Sequence, residues 1–187
     1  MLFPKKELDL STPKVMGVLN LTPDSFFDGG KFLRKDNSFD ESKIINSIES
    51  MIEDGADFID IGAQSTKPGF TQISSSEELD RLGFIFDKLN DYPVLFSIDT
   101  FNYEVIKEAI NKKIDLINNV FSFSDQESFK LVCRNDIPIC VCHQGNPDNK
   151  EDIFSQINLF FSDVEEKFEK EKFNTDNIIF DPGFGYG

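Results

Sequence analysis

Each of six short apolar runs in this 187-residue sequence ends on a polar side chain or is followed at once by one. The polar residues, in chain order, are Asn20, Asp60, Asp99, Asn118, His143 and Asp181. A buried carboxylate can only accept hydrogen bonds, and those bonds are charge-assisted. Carboxylates and amides gathered in one place would therefore suit a ligand that presents N–H donors. One polar residue at such a position indicates only a turn, but six in six is unusual.

The apolar runs alternate with amphipathic segments, which predicts β-strands alternating with α-helices. The predicted strands are residues 15–20, 58–62, 94–99, 114–120, 137–142 and 178–181. Gly55 is a plausible stop for the first helix, and Ser75-x-x-Glu78 is a plausible capping box for the second. This order predicts a parallel sheet with right-handed crossovers.

The polar strand ends distinguish between two folds that periodicity alone leaves open. In a doubly wound sheet the ligand lies at one switch point, so only a few strands need polar ends. In a (β/α)8 TIM barrel all strand ends converge on one mouth. The pattern favours the barrel, with carboxylates and amides around its C-terminal face. Two long loops, residues 21–39 and 63–74, leave the same face, and we interpret them as a mobile lid.

Composition excludes several classes of protein. The formal net charge of −15 argues against a nucleic acid partner, because phosphate contacts need a basic face. The 39% hydrophobic content, with 21 Phe, argues against disorder. No apolar run is long enough to span a membrane, and the first residues do not resemble a signal peptide. Three cysteines without a disulfide framework suit a reducing compartment, so we expect a cytoplasmic protein.

Six stretches carry more information than their place in the predicted strands. They are MGVLNLTPDSFFDGG (16–30), GADFIDIGAQSTKPG (55–69), SIDT (97–100), LINNV (116–120), CHQGNP (142–147) and DPGFGYG (181–187). In this order and spacing they resemble the dihydropteroate synthase family. The resemblance implies a barrel enzyme that joins p-aminobenzoate to 6-hydroxymethyl-7,8-dihydropterin pyrophosphate, releasing 7,8-dihydropteroate and pyrophosphate in folate synthesis. Sulfonamides compete for the p-aminobenzoate pocket of that family.

The resemblance also implies how the pterin and the leaving group are bound. Asp60, Asp99, Asn118 and Asp181 match pterin-binding positions of the family. Their oxygens suit the N–H-rich pyrimidinone edge of a dihydropterin. Asn20 matches the residue that helps to hold Mg²⁺ and the leaving pyrophosphate. The candidate catalytic residues are Asn20, Lys67, Asp99 and Asp181. The implied reaction is a dissociative substitution that needs little general-base catalysis.

The remaining implied site residues lie in loops. Phe26 lies in the first mobile loop, which closes over the reaction and excludes water. Thr66, Lys67 and Pro68 match the second mobile loop, which contacts p-aminobenzoate and phosphate. Phe184 and Gly185 match part of the p-aminobenzoate wall.

The sequence departs from the family pattern at several positions. Lys67 replaces the usual Arg, so a point charge replaces a bidentate fork. Gln64 stands where Glu is usual, Asn119 where Asp is usual, and Cys142 at the position of a His. The neighbouring His143 is then displaced by one residue, and we expect it to serve in packing or in a turn. Without a second pair of soft ligands, the Cys140, Cys142 and His143 group is not expected to bind a metal.

The number of predicted strands is the largest departure. A barrel of this kind usually needs roughly 250 residues, and this sequence supplies six predicted strands. We therefore expect one domain, residues 1–187, that is incomplete at its C-terminus and has little or no turnover alone. The parent protein would be a homodimer that binds only small-molecule substrates. The alternatives are a non-catalytic pterin-binding relative and a methyltetrahydrofolate:corrinoid methyltransferase, although the two loop signatures count against the latter.

Overall fold

The computed structural model describes residues 1, 3–5, 7–22, 32–34, 36, 38–65, 71–145 and 152–184. Within these ranges, six parallel strands form one sheet in the order β1-β2-β3-β4-β5-β6. The strands are β1 Met16–Asn20, β2 Phe58–Gly62, β3 Leu95–Asp99, β4 Leu116–Asn119, β5 Ile139–Cys142 and β6 Ile178–Asp181. A strand order that never reverses is the order of a barrel, because a doubly wound sheet reverses at its switch point.

In the described part of the chain, one α-helix follows each of the first five strands. The helices are α1 Glu41–Glu53, α2 Ser75–Phe86, α3 Tyr103–Asn111, α4 Gln126–Asn135 and α5 Ile153–Lys170. Short 3₁₀ turns, Leu89–Asp91 and Thr175–Asn177, precede β3 and β6. The predicted alternation of strands and helices is therefore confirmed.

Several strands are shorter than the sequence predicts. β4 begins at Leu116 rather than at residue 114, because Lys113 adopts a left-handed φ of 60° and Ile114 donates its backbone N–H to Ala109 at the end of α3. β5 begins after Pro138, which has no N–H to give to a strand ladder. The first and third strands begin one residue later than predicted, at Met16 and Leu95.

Strand residues alternate between two apolar layers. The convex face of the sheet packs against the helices, and its buried strand residues are Leu19, Ile59, Ile61, Phe96, Ile98, Ile117, Ile139 and Val141. The concave face has a smaller apolar cluster near the amino ends of the strands, where Phe3 and Leu8 contact Phe58, Leu95 and Leu116. The N-terminal segment therefore covers the floor of the concave face. On the edge strand β1 this face is more open, since Met16 and Val18 are 38% and 55% exposed.

Lys5 fastens the N-terminal segment to that floor. Its Nζ lies 3.4 Å from Oδ2 of the fully buried Asp115 and 4.7 Å from the centre of the Phe96 ring. Asp115 also accepts hydrogen bonds from the backbone N–H groups of Lys5 and Phe96, at 3.3 and 2.9 Å. One end of the concave face is thus closed, and the opposite end is left for the polar strand ends.

The helix boundaries confirm one predicted signal and correct another. Gly55, with φ of +94°, donates its N–H to Ile52 just after α1 ends, as predicted for a helix stop. The predicted capping box of α2 is wrong by one residue. Ser74 caps α2 by accepting a hydrogen bond from the N–H of Glu77 at 3.1 Å, and Glu78 points into the protein interior.

Candidate active site

The strand register brings the predicted polar residues to one face of the sheet. The register pairs are Val18–Asp60, Asp60–Ser97, Asn20–Gly62, Gly62–Asp99, Asp99–Asn118, Asn118–Cys140 and Cys142–Asp181. Residues in register on neighbouring strands share a face, and so do alternate residues of one strand. Asn20, Asp60, Asp99, Asn118 and Asp181 therefore all lie on the concave face.

Asp60 lies deeper than the sequence predicts. β2 has the predicted bounds, Phe58–Gly62, so Asp60 lies in the middle of the strand, and its side chain is buried one level below Asp99. Its Oδ2 accepts a hydrogen bond from Nδ2 of Asn118 at 3.0 Å. Burial raises the pKa of Asp60, and the neighbouring Ser97 and Asn118 side chains lower it in part.

Asp99 is the most perturbed carboxyl group on this face. Its pKa is raised well above the usual value, chiefly by desolvation, and further by the negative charges of Asp60 and Glu78. On this face, the buried Oδ1 atoms of Asp99 and Asp60 accept no hydrogen bond from any described residue. Buried polar atoms are nearly always paired in folded proteins, so these acceptors are available to the donors of a ligand.

Gly62 lets the first and third strands bring their polar ends close together. A Cβ atom at this position would lie 3.2 Å from Oδ1 of Asn20 and 3.7 Å from Oδ2 of Asp99. A larger residue at this position would crowd the amide oxygen of Asn20, which now lies beside the end of β3. We call the carboxyl ends of the six strands on the concave face the rim. Gly62 thus leaves room for an amide and a carboxylate at the centre of the rim.

The turn after β6 completes the rim on the other side. Asp181 accepts a hydrogen bond from Gly183 N–H to its Oδ1 at 2.8 Å, and its carbonyl accepts one from His143 N–H at 2.9 Å. Gly183 has φ of +74°, and a Cβ there would lie 1.8 Å from the carbonyl oxygen of His143. Only glycine fits this turn. Burial and the adjacent Asp181 raise the pKa of the Cys142 thiol to about 12.

A family model described as "Pterin binding enzyme" matches residues 16–187. This chain belongs to the pterin-binding enzyme family. Among curated members of the family, it is 35% identical to the dihydropteroate synthase of Escherichia coli strain K12, over 96% of this chain and 64% of that protein. It is 40% identical to a mitochondrial folate synthesis bifunctional protein of Arabidopsis thaliana, over 92% of this chain and 32% of that protein.

Solved structures of pterin-binding enzymes superpose on nearly the whole chain. The Yersinia pestis dihydropteroate synthase, solved as a sulfonamide drug complex, matches with a TM-score of 0.85 and 33% identity. That match covers 96% of this chain and 66% of the other. The Burkholderia cenocepacia enzyme complexed with 7,8-dihydropteroate matches with a TM-score of 0.84 and 28% identity, over 100% of this chain and 64% of the other. The six strands therefore correspond to the first six strands of a (β/α)8 barrel. The present chain spans about two thirds of the length of these two solved structures.

Three departures from the family pattern have structural explanations in this chain. Oδ1 of Asn119 accepts hydrogen bonds from the N–H groups of Phe121 and Phe123, so this amide shapes the turn after β4. Oε1 of Gln64 accepts a bond from Ile73 N–H at 2.9 Å and joins the two ends of the second loop. His143 packs its ring edge-on against Phe160 at 5.4 Å, in keeping with the packing role expected for it.

Some predicted residues cannot be placed relative to the rim. Phe26, Thr66, Lys67, Pro68 and Gly185 lie outside the described residues. Phe184 is described and is 93% exposed, so its ring covers no other described group.

No three His, Cys, Asp or Glu side chains of the described part of the chain group together as a metal site. None of the described helices is long and apolar enough to cross a membrane.

Glu78 is the residue of this region that sequence reasoning missed. It was assigned to a helix cap, yet its side chain is fully buried beneath the turn that follows Asp99. A signal was present, because Glu78, Leu82 and Ile85 are spaced along one face of α2 and all three are buried. A carboxylate on the buried face of an amphipathic helix needs partners, and those partners lie on the next βα unit.

Proposed function

We propose that the whole protein containing this chain is a dihydropteroate synthase. It would join p-aminobenzoate to 6-hydroxymethyl-7,8-dihydropterin pyrophosphate, forming 7,8-dihydropteroate and pyrophosphate. The observation that carries the proposal is the convergence of Asp60, Asp99, Asn118 and Asp181 on one concave face, with acceptor oxygens left unpaired. Membership of the pterin-binding family and the names of the relatives support it.

The pterin is recognised by acceptors that the fold has oriented in advance. Asp60 accepts a hydrogen bond from the NH₂ group of Asn118, so the amide oxygen of Asn118 remains for a ligand donor. Asp99 lies in register with Asn118 and, when ionised, accepts charge-assisted bonds from the N–H groups of the pyrimidinone edge. Asp181 would complete the set from β6.

The leaving group is proposed to be bound with Mg²⁺ at Asn20. The amide oxygen of Asn20 beside Asp99 is a hard oxygen ligand, and Mg²⁺ usually takes one or two protein ligands together with phosphate oxygens and water. This donor set fits the ion, which would neutralise charge on the departing pyrophosphate when bound. The role of Asn20 would be to hold that end of the substrate over the strand ends.

The reaction is a substitution at the exocyclic methylene of the pterin. The C–O bond to pyrophosphate breaks, the neutral amine of p-aminobenzoate forms the C–N bond, and the amine then loses a proton. The packed position of His143 is compatible with a reaction that needs little base catalysis. Phe26 and the Thr66, Lys67 and Pro68 loop would close over the substrates, with Phe184 and Gly185 beside p-aminobenzoate.

The test is an assay of the whole protein with both substrates and Mg²⁺, measuring dihydropteroate and pyrophosphate together. We expect equal amounts of the two products, and little turnover from residues 1–187 alone. Pterin binding without consumption of p-aminobenzoate would instead support a non-catalytic relative. Methyl transfer to a cobalamin would support the methyltransferase alternative.

Further properties of the whole protein are proposed by analogy with the family. We propose a cytoplasmic homodimer whose p-aminobenzoate pocket also binds sulfonamides, as the drug complex of the Yersinia pestis enzyme suggests. Sedimentation of the whole protein tests the dimer, and competition of a sulfonamide with p-aminobenzoate tests the pocket.

A further inference from the structure

Glu78 of α2 is a fully buried carboxylate outside the group that faces the ligand. Its Oε2 accepts a hydrogen bond from Nδ2 of Asn102, and its Oε1 has no partner among the described residues. Burial raises the pKa of Glu78, whereas Thr100, Asn102 and Arg81 stabilise its charged form. A buried carboxylate is costly even with these partners, and its position beside the site points to a functional reason.

On one side, Glu78 holds the turn that follows Asp99. Asn102 is the first residue before α3, and its backbone N–H donates to the hydroxyl of Thr100 at 3.2 Å. The N–H of Thr100 in turn donates to the carbonyl of Asn118 at 3.0 Å. Residues 100–102 are therefore fixed both to β4 and to α2, and Asp99 directly precedes them.

On the other side, Asn102 and α2 hold the ends of the second loop. Nε2 of Gln72 lies 3.5 Å from Oδ1 of Asn102, just where the chain returns towards α2. Nη1 of Arg81 donates to the carbonyl of Ala63 at 2.8 Å, at the point where the loop departs from β2. The two ends of the second loop are thus held by Asn102, which binds Glu78, and by α2, which carries Glu78.

We propose that Glu78 is a positioning residue that holds the turn after Asp99 and the returning end of the second loop in one fixed arrangement. This inference rests on the proposed function and deepens it, because the loop is the part assigned to p-aminobenzoate and phosphate. Glu78 does not touch the substrate. It acts through Asn102 and Thr100, and through the charge that it places behind Asp99.

The charges around Asp99 determine the sign of the expected pH effect. Asp60 of β2, Glu78 of α2 and the Cys140 and Cys142 thiols of β5 interact with the carboxyl group of Asp99. A negative Glu78 makes ionisation of Asp99 harder. Replacing Glu78 by neutral Gln should therefore lower the pKa of Asp99, and the ionised form that accepts the pterin donors should persist to lower pH.

The experiment compares Glu78→Ala and Glu78→Gln with Asp80→Asn in the whole protein. Asp80 is a matched control because it is an exposed carboxylate of α2, two residues from Glu78, and takes no part in the contacts that hold the loop. We expect E78A to lower kcat/KM on the order of 10²-fold, the scale of misplaced reacting groups. E78Q keeps an acceptor for Asn102 and should recover most of that loss, and D80N should behave as the wild type.

The second readout is dihydropterin affinity, measured by calorimetry across the acid range. E78Q should retain affinity to lower pH than the wild type, and D80N should not. If E78A fails to fold, the pH profile of E78Q alone decides. Wild-type kinetics in E78A, or an unshifted profile in E78Q, would overturn the role of Glu78. Absence of dihydropteroate from the wild type would refute the proposed function instead, and the affinity profiles would still test Glu78.

Discussion

Asn118 donates a hydrogen bond from Nδ2 to Oδ2 of Asp60 at 3.0 Å, and the two residues lie on strands that β3 separates. The bond therefore crosses the concave face above the middle strand, beside Asp99. Because Nδ2 of Asn118 makes this bond, the amide oxygen is the atom that the proposed function assigns to a ligand donor. The bond also gives the buried Asp60 carboxylate a donor, without which one more of its oxygens would be unpaired.

Asn118→Ala should destabilise the fold as well as weaken pterin binding. Removing the amide leaves Oδ2 of Asp60 buried without this donor, which costs about 1–3 kcal/mol in the free energy of unfolding. Urea denaturation measures the change. Asn111→Ala at the exposed end of α3 is the control, with an expected change within about 0.5 kcal/mol. Equal stability of the two variants would contradict the structural role of the bond.

Asp99→Asn should reduce dihydropterin affinity by about 1–3 kcal/mol, because an ionised acceptor becomes a neutral amide. Calorimetry with the whole protein measures this loss. The exposed Asp91→Asn change in the 3₁₀ turn before β3 is a suitable control and should leave the affinity unchanged. An unaltered affinity in Asp99→Asn would reject Asp99 as a pterin ligand.

The raised pKa of Asp99 predicts opposite effects of pH on binding and on stability. Pterin affinity should fall as the solution is acidified through that pKa, because the protonated carboxyl accepts poorly. For stability, the folded state holds this proton more tightly than the unfolded chain. The contribution of Asp99 to stability is therefore lost as pH rises from the usual carboxyl value through the raised pKa. Asp99→Asn should remove that loss. Thermal denaturation should therefore show that the Asp99→Asn variant is more stable than the wild type at neutral pH but not in acid.

Gly183→Ala should destabilise the turn after β6. Its Cβ would meet the carbonyl oxygen of His143, and φ of +74° costs an L-residue roughly 1–2 kcal/mol before any clash is counted. Gly83→Ala is the contrasting control. Its Cβ would meet no atom within 4 Å on α2, and the change should stabilise by about 0.8–1 kcal/mol. Thermal denaturation should therefore move in opposite directions for the two variants, and a shared direction would contradict the described turn.

Lys5→Met should loosen the floor of the concave face. It leaves the buried Asp115 without its ammonium partner, at a cost of about 1–3 kcal/mol in the free energy of unfolding. Burial raises the pKa of Asp115, and the charge of Lys5 lowers it in part. The cost of Lys5→Met should therefore grow as pH rises and the Asp115 carboxyl ionises. Lys88→Met removes the exposed pair with Asp91 and should change stability by less than about 1 kcal/mol. If the Lys5→Met variant is as stable as the Lys88→Met variant, Lys5 does not fasten the N-terminal segment to the floor of the concave face.

Local patterns in the sequence were sufficient to predict the alternation of elements and much of the rim. Val, Ile, Leu and Phe runs ending on Asp99 and Asp181 identified strand ends, because a strand end is defined by a few neighbouring residues. The helix stop at Gly55 is equally local, since it depends on the φ of one residue. The polar residues at or near the strand ends also favoured the barrel, because that order of strands brings most of them to one face.

The tertiary structure decided how deeply each polar side chain is buried and which partner it pairs with. Asp60 lies a level below the rim because strand register, which no single strand encodes, sets its height. Lys5 and Asp115 are 110 residues apart, and nothing near either residue in the chain indicates the other. Glu78 looked like a helix cap because its partner Asn102 is on another βα unit. A short window of sequence reports the backbone that its own residues prefer, whereas the pairing of a buried charge depends on which elements the folded chain packs together.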